Sequence, residues 1–322
     1  MPKSFHHALP LDASIHVAGH GGLVGGAVWR YLQSRGHTHL IGRSSTELDL
    51  RDRNAVLDFY ALTKPEYVVL AAAKVGGIMA NARYPADFLS DNIRIQVNVL
   101  DAAHIFGVKR LLFLGSSCIY PRLAPQPIKE DSLLTGPLEP TNDAYAIAKI
   151  AGVLHVQALR RQHGCSFVSA MPTNLYGPGD NFDLETSHVL PAMIRKFHDG
   201  KVEGRDQVVL WGSGSPRREF LHVDDLAAAV VTLLERYDEP SPINIGIGED
   251  VTISELAAIV SRVVGYKGRI TWDNSKPDGT PRKLLDVSKI LSLGWRANVD
   301  LPSGISRTYT EFLRGTGLNA AN

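Results

Sequence analysis

An α/β fold is predicted here: a Rossmann-type, doubly wound parallel sheet followed by a smaller C-terminal α/β domain. Three features of the sequence point to it. Short apolar runs alternate with amphipathic stretches through the first half of the chain. A glycine-rich turn joins the first such pair. After about Tyr176 the rhythm loosens and Gly and Pro become frequent (GPGDN, GSGSP, DEPSP, KPDGTP). Strands that are apolar on both sides need a sheet covered on both faces, which βαβ units supply.

The elements follow in order. Residues 1–13 (MPKSFHHALPLDA) hold one Lys, two adjacent His and no apolar core. They read as a flexible extension and not as a signal peptide. Strands are expected at 15–18, 39–41, 67–73, 111–114 and 167–171, with helices at about 24–34, 53–62, 85–106 and 144–163. Residues 14–175 then form a nucleotide-binding domain to which later segments return, and 176–314 form mainly a substrate-binding domain. In that second part Thr252-Ile-Ser-Glu255 is a capping box ahead of the apolar face Leu256, Ile259, Val260 and Val263. The small, polar residues 315–322 are expected to be flexible.

Composition narrows the function. With 34 Lys+Arg against 33 Asp+Glu the net charge is +1, without the basic excess of a dedicated nucleic-acid binder. Two cysteines, Cys118 and Cys165, cannot staple 322 residues, so a reducing compartment, the cytoplasm, is expected. The longest apolar stretch, around 226–234, is interrupted by Thr232. It falls far short of the roughly 20 residues needed to span a bilayer. Neither nucleic acid nor membrane is expected as a partner.

Directly after the first strand stands Gly19-His20-Gly21-Gly22-Leu23-Val24-Gly25, running into a helical pattern. Glycine allows the tight turn and lets backbone approach a pyrophosphate at the positive end of the helix. The spacing is G-x-x-G-x-x-G, and a dinucleotide site is expected. The second strand ends Ile41-Gly42-Arg43-Ser44-Ser45, with no acid before Glu47. An acid would hold a ribose 2′-hydroxyl, whereas Arg accommodates a 2′-phosphate, so the cofactor is expected to be NADPH/NADP+.

Tyr145-Ala-Ile-Ala-Lys149 puts a phenol and an ammonium one helical turn apart. A phenol of ordinary pKa about 10 is a poor acid–base group at neutral pH, and a nearby cation is expected to lower it. One strand earlier, Leu114-Gly115-Ser116-Ser117-Cys118-Ile119-Tyr120-Pro121 sets hydroxyls at a strand's carboxyl end. That edge is where open α/β sheets bind ligands. Together these residues suit carbonyl reduction, with Tyr145 giving the proton.

These residues resemble the extended short-chain dehydrogenase/reductase family. Within it they are most similar to the epimerase–reductases that act on GDP-4-keto-6-deoxy-D-mannose. The resemblance runs from about Ser14 to Leu313. It rests on AAAKVGGI from Ala71, LFLGSSCIYP from Leu112, MPTNLYGP from Met171, REFLHVDD from Arg218 and SKPDGTPRK from Ser275. It implies that Ser116, Tyr145 and Lys149 reduce C4 with NADPH, and that Cys118 and His188 epimerise C3 and C5. By the same resemblance Gly19 to Gly25, Arg43, Ser44, Ser45, Gly115, Ser116, Ser117, Cys118, Lys149, Pro172, Thr173, Asn174, Leu175 and His188 hold the cofactor. Lys196, Trp211, Arg218 and Asp278 match positions that hold the GDP-sugar, and a homodimer built on the helices at 85–106 and 144–163 is implied. Two positions depart from the family pattern. Gly21 stands where an Arg often grips the 2′-phosphate, which leaves Arg43 as the main discriminator. Lys196 stands where Arg occurs, replacing a bidentate contact by a point charge. Cys165 keeps its reading as a small buried hydrophobe. The alternatives are another sugar-nucleotide epimerase or dehydratase of the same family, or a non-catalytic NADP-sensing protein on the same fold. Dehydratases need an acid pair where this chain has Ser117-Cys118-Ile119, and sensors lose the Tyr or Lys that this chain keeps.

Overall fold

The structure is a computed structural model and describes residues 6–315. Its first half alternates β1 (Ile15–Ala18), α1 (Leu23–Ser34), β2 (Leu40–Ile41), α2 (Arg53–Thr63) and β3 (Tyr67–Leu70). There follow α3 (Ile78–Arg83), α4 (Pro85–Ile105), β4 (Arg110–Leu114), α5 (Asp143–His163) and β5 (Phe167–Pro172). The second half begins with β6 (Asn174–Tyr176), α6 (Val189–Val202), β7 (Gln207–Trp211), β8 (Arg217–Arg218) and β9 (Phe220–His222). It continues through α7 (Val223–Arg236), β10 (Ile243–Ile245), β11 (Val251–Thr252) and α8 (Ile253–Val264). The last elements are β12 (Arg269–Asp273), β13 (Arg282–Lys283), α9 (Ser288–Ser292) and α10 (Leu301–Gly315).

Six strands form one parallel sheet in the order β10-β5-β4-β3-β1-β2. The strand order reverses between β1 and β3, and a crevice opens at their carboxyl ends, where such sheets bind ligands. β1, β3, β4 and β5 are buried along their whole length, as their unbroken apolar sequences require of strands covered on both faces. α1 packs with α7, and α2, α4 and α5 pack together, giving the two helical layers. β3 stops at Leu70, three residues short of the expected strand, because residues 71–73 leave the sheet to line the crevice.

Two hydrophobic cores divide the chain. The larger surrounds the parallel sheet and takes in not only the first half but also Leu226, Val230, Leu234, Ile243, Ile245, Leu285 and Trp295. The smaller joins Leu190, Ile194 and Phe197 of α6 to Val208, Leu210, Leu256, Val260, Ile305 and Phe312. The capping box on α8 is present: Thr252 Oγ1 accepts from Glu255 N at 3.0 Å, and Glu255 Oε2 accepts from Thr252 N at 2.7 Å.

Residues 6–13, expected to hang free, pack instead. His7 Nε2 lies 2.6 Å from the Tyr67 hydroxyl, His7 N donates to Glu235 O at 2.7 Å, and Leu9 and Ala13 enter the larger core. Two apolar side chains outweigh the polar composition of that segment. The expected flexible tail, beyond residue 315, lies outside the described residues. No helix among the described residues is long and apolar enough to cross a membrane.

Candidate active site

A cavity of about 1030 Å³ opens along the carboxyl edge of the sheet, between the two cores. Its floor at β1 is the glycine turn. Gly19 has φ +87°, which only glycine adopts readily, and a Cβ there would stand 2.8 Å from Ala72 N at the end of β3. A side chain on Gly25 would overlap the Gly19 carbonyl. Gly22 caps α1, whose first turn carries no acid to compete with an anion. The cradle thus fits a dinucleotide pyrophosphate at a helix N-terminus.

Of the expected cofactor residues, Gly19, Gly22, Leu23, Val24, Gly25, Arg43, Ser45, Gly115, Ser116, Ser117, Cys118, Lys149, Pro172, Thr173, Asn174, Leu175 and His188 line this cavity. His20, Gly21 and Ser44 do not. The His20 ring is packed on Gly42 and lies 5.3 Å from the Trp29 ring centroid. Ser44 is turned to Glu47, its N and Oγ donating to Glu47 Oε2 at 2.8 and 2.7 Å. Arg43 is exposed at the rim, its Nη1 donating to Gly42 O at 2.8 Å.

The reductive group assembles from β4 and α5. Lys149, only 3% exposed, donates from Nζ to Leu114 O at 2.8 Å, and its ammonium lies 5.8 Å from the Tyr145 ring centroid. Burial pushes the Lys149 ammonium down to about 8, with the neighbouring Cys118 working against that fall. The expected lowering of the phenol does not occur. Burial, and after it the neighbouring Cys118, push Tyr145 up, while the Ser116 hydroxyl works the other way. A protonated phenol is the form that can give a proton. Phe88 packs edge-on against the Tyr145 ring at 6.3 Å.

Cys118 joins this group directly. A short turn after β4, Ser117–Ile119, brings its thiol 3.0 Å from Ser116 Oγ, to which it donates. Cys165 is partly buried, its Sγ 3.5 Å from His104 Nδ1, and it does not line the cavity. His188 comes from the other core, as the N-cap of α6. Burial lowers its imidazole below the ordinary 6.5, and the Lys283 charge lowers it further.

The far half of the cavity holds the cations Lys196, Arg218 and Lys283 together with the acids Glu139, Asp180, Glu185 and Asp278. Lys196 Nζ donates to Val209 O at 3.2 Å and sits 5.0 Å from the Trp211 ring centroid, with Lys276 Nζ at 5.8 Å from the same ring. Arg218 Nη1 donates to Arg217 O at 2.8 Å. Lys196 and Arg218 are both pushed down by burial. Asp278 lines the cavity, but its Oδ1 accepts from Ser213 N and its Oδ2 from Ser213 Oγ, both at 2.8 Å. Its carboxylate therefore holds the 212–215 loop.

Several lining residues carry no role in the sequence reading. Lys283 on β13 sits beside Cys118, Arg218 and Glu139, and burial lowers its ammonium. Asp180, pushed up to about 7 by burial, has a buried Oδ2 without a protein partner among the described residues. Asn81 Oδ1 and Asn142 Oδ1 are likewise unpartnered. The PRK and GPGDN stretches were the only signals for the first two.

A family model described as the NAD dependent epimerase/dehydratase family matches residues 15–246. "Putative GDP-L-fucose synthase 2" of Arabidopsis thaliana is 58% identical, over 97% of this chain and 95% of its own. "GDP-L-fucose synthase" of Escherichia coli (strain K12) is 53% identical, over 93% of this chain and 96% of its own. The solved structure of a GDP-L-fucose synthetase from Naegleria fowleri bound to NADP has a TM-score of 0.89 and 29% identity, covering 98% of this chain and 99% of that one. With its parallel sheet, glycine cradle and Ser–Tyr–Lys group, the chain belongs to the NAD dependent epimerase/dehydratase family.

Proposed function

We propose that the chain is a bifunctional GDP-L-fucose synthase: it epimerises GDP-4-keto-6-deoxy-D-mannose at C3 and C5 and reduces C4. The observation that carries this reading is the 3.0 Å contact between Cys118 Sγ and Ser116 Oγ. It puts a thiol in the same sugar-sized space as the reductive hydroxyl. The relatives named above carry the same activity in their names.

The hydrogens on C3 and C5 flank a ketone, so removing either leaves an enolate. A C–H bond breaks on one face and another forms on the opposite face, with no net redox change. Cys118 is the base and His188 the acid in this reading, and the pair needs one proton between them. An imidazole whose pKa is lowered gives up that proton readily. For the reduction, Ser116 orients the C4 oxygen and Tyr145 donates its phenolic proton to it. NADPH supplies the hydride when bound. Gly19, Gly22 and Gly25 would hold its pyrophosphate and Arg43 its 2′-phosphate. Lys196, Arg218 and Lys283 meet the charge of the GDP diphosphate, and Trp211 offers a flat apolar surface.

Two further points belong to this reading. Ile147 and Leu154 are 45% and 41% exposed, seven residues apart on α5, and suit a helical dimer interface. Both cysteines are free, which fits the cytoplasm. The deciding experiment mixes the purified protein with GDP-4-keto-6-deoxy-D-mannose and NADPH or NADH, following nicotinamide absorbance and the stereochemistry of the product. GDP-L-fucose is the expected product; no oxidation with either cofactor overturns the reading.

A further inference from the structure

Ser116, Cys118, Tyr145 and Lys149 come from β4, the turn after it, and α5, whereas His188 comes from the smaller core. Its alignment depends on how the chain before α6 meets the first half of the molecule. A backbone hydrogen bond at Gly77 forms part of that junction. Gly77 N donates to Thr186 O at 2.9 Å, and a Cβ on Gly77 would stand 2.5 Å from Ser187 O. Gly77 has φ −65° and ψ 177°, open to any residue, so glycine is required there by the close approach alone.

Both partners are stiffened. Asn81, 7% exposed, donates from Nδ2 to Gly76 O at 2.8 Å and to Gly77 O at 3.0 Å, tying the turn to α3. Across the contact, Asp183 Oδ1 accepts from Glu185 N at 3.1 Å, Thr186 N at 3.0 Å and Thr186 Oγ1 at 2.8 Å. Ser187 N donates to Asp183 O at 2.9 Å, and His188 follows at once. A rigid turn therefore presses on a rigid turn, one residue before the imidazole.

We infer that Gly77 is a positioning residue for His188: its contact with Thr186 and Ser187 aligns the epimerising acid with the group on β4 and α5. This rests on the role given to His188 above. The groups given the C4 proton transfer, Ser116, Tyr145 and Lys149, lie on the near side of the contact, so a displaced His188 is read first in the exchange half-reaction.

The test is Gly77→Ala, with Asn81→Leu as the variant that loosens the same turn without adding bulk. Solvent deuterium entering C3 and C5 of the keto sugar is measured in the presence of NADP+. NADPH oxidation is measured with the already epimerised keto sugar. Exchange is expected to fall about ten- to a hundredfold, the scale of a misplaced catalytic group. Oxidation is expected to stay within about threefold of wild type. His188→Gln is run in parallel. Wild-type exchange in His188→Gln overturns the role of His188, and this inference with it. If His188→Gln stops exchange, then wild-type exchange in Gly77→Ala and Asn81→Leu, or equal loss of both half-reactions, overturns the inference alone. If Gly77→Ala does not fold, Asn81→Leu decides.

Discussion

Lys149 is bonded through Nζ to the carbonyl of Leu114, the last residue of β4, at 2.8 Å. One buried cation thus clamps α5 to the strand end from which Ser116 and Cys118 emerge, and fixes Tyr145 one helical turn away. The arrangement puts a titratable switch in the site. A base lowered to about 8 is cationic below that pH and neutral above it. The rate of NADPH oxidation is therefore expected to fall as pH rises through about 8. Lys149→Met should remove this limb and cost about a hundredfold in rate. A flat profile from pH 7 to 9.5 in the wild type contradicts this.

Tyr145 sits in the same pocket with its phenol raised by burial, hence protonated throughout the working range. Tyr145→Phe keeps the ring against Phe88 and deletes the proton donor. NADPH oxidation should drop by about a hundredfold or more, while deuterium exchange at C3 and C5 persists. Normal turnover in Tyr145→Phe excludes the phenol as donor.

Why some of this was legible in the sequence is a matter of what each residue answers to. IHVA, YVVL and RLLFL are strands buried on both faces, and burial alone dictates their composition. The glycine turn and Tyr145 with Lys149 are local patterns, fixed by one turn of chain. The loose reading of residues 6–13 failed because Leu9 and Ala13 are isolated apolar residues whose partners lie far along the chain. Asn81 and Gly77 carry no periodic signal, since their partners are their own turn and a segment more than a hundred residues away. The phenol was expected to fall, yet desolvation outweighs the Ser116 hydroxyl that works the other way, and no spacing rule reports burial.

Cys118 is 7% exposed and bonded to Ser116, so Cys118→Ser keeps volume and hydrogen bonding while removing the acidic thiol. A hydroxyl is a far weaker acid than a thiol, and exchange at C3 and C5 should fall by about a hundredfold or more. NADPH oxidation with the already epimerised keto sugar should continue. Mass spectrometry of the recovered sugar reads the exchange; a wild-type rate removes Cys118 from the mechanism.

Lys283 depresses His188 through its positive charge. Replacing it by Met should let the imidazole titrate at higher pH than in the wild-type protein. Proton NMR of the His188 ring across pH 4 to 8 measures this. A lower midpoint in Lys283→Met contradicts it, and an unchanged one leaves burial as the whole cause. The same substitution should raise KM for the GDP-sugar, since one diphosphate partner is gone.

Arg43 at the cavity rim is placed to read a 2′-phosphate, whereas Gly21 offers no side chain and nothing lies within 4 Å of where one would start. Its guanidinium is already held by Gly42 O at 2.8 Å and lies 5.9 Å from the Phe59 ring centroid. Little ordering is therefore needed when the phosphate arrives. Arg43→Ala should lower kcat/KM for NADPH by about tenfold and leave that for NADH near its wild-type value, narrowing the preference. Gly21→Arg in the same background should restore part of it, since a side chain starting there meets nothing within 4 Å. An unchanged NADPH-to-NADH ratio in Arg43→Ala would mean that the phosphate is read by other lining groups such as Ser45 or Arg51.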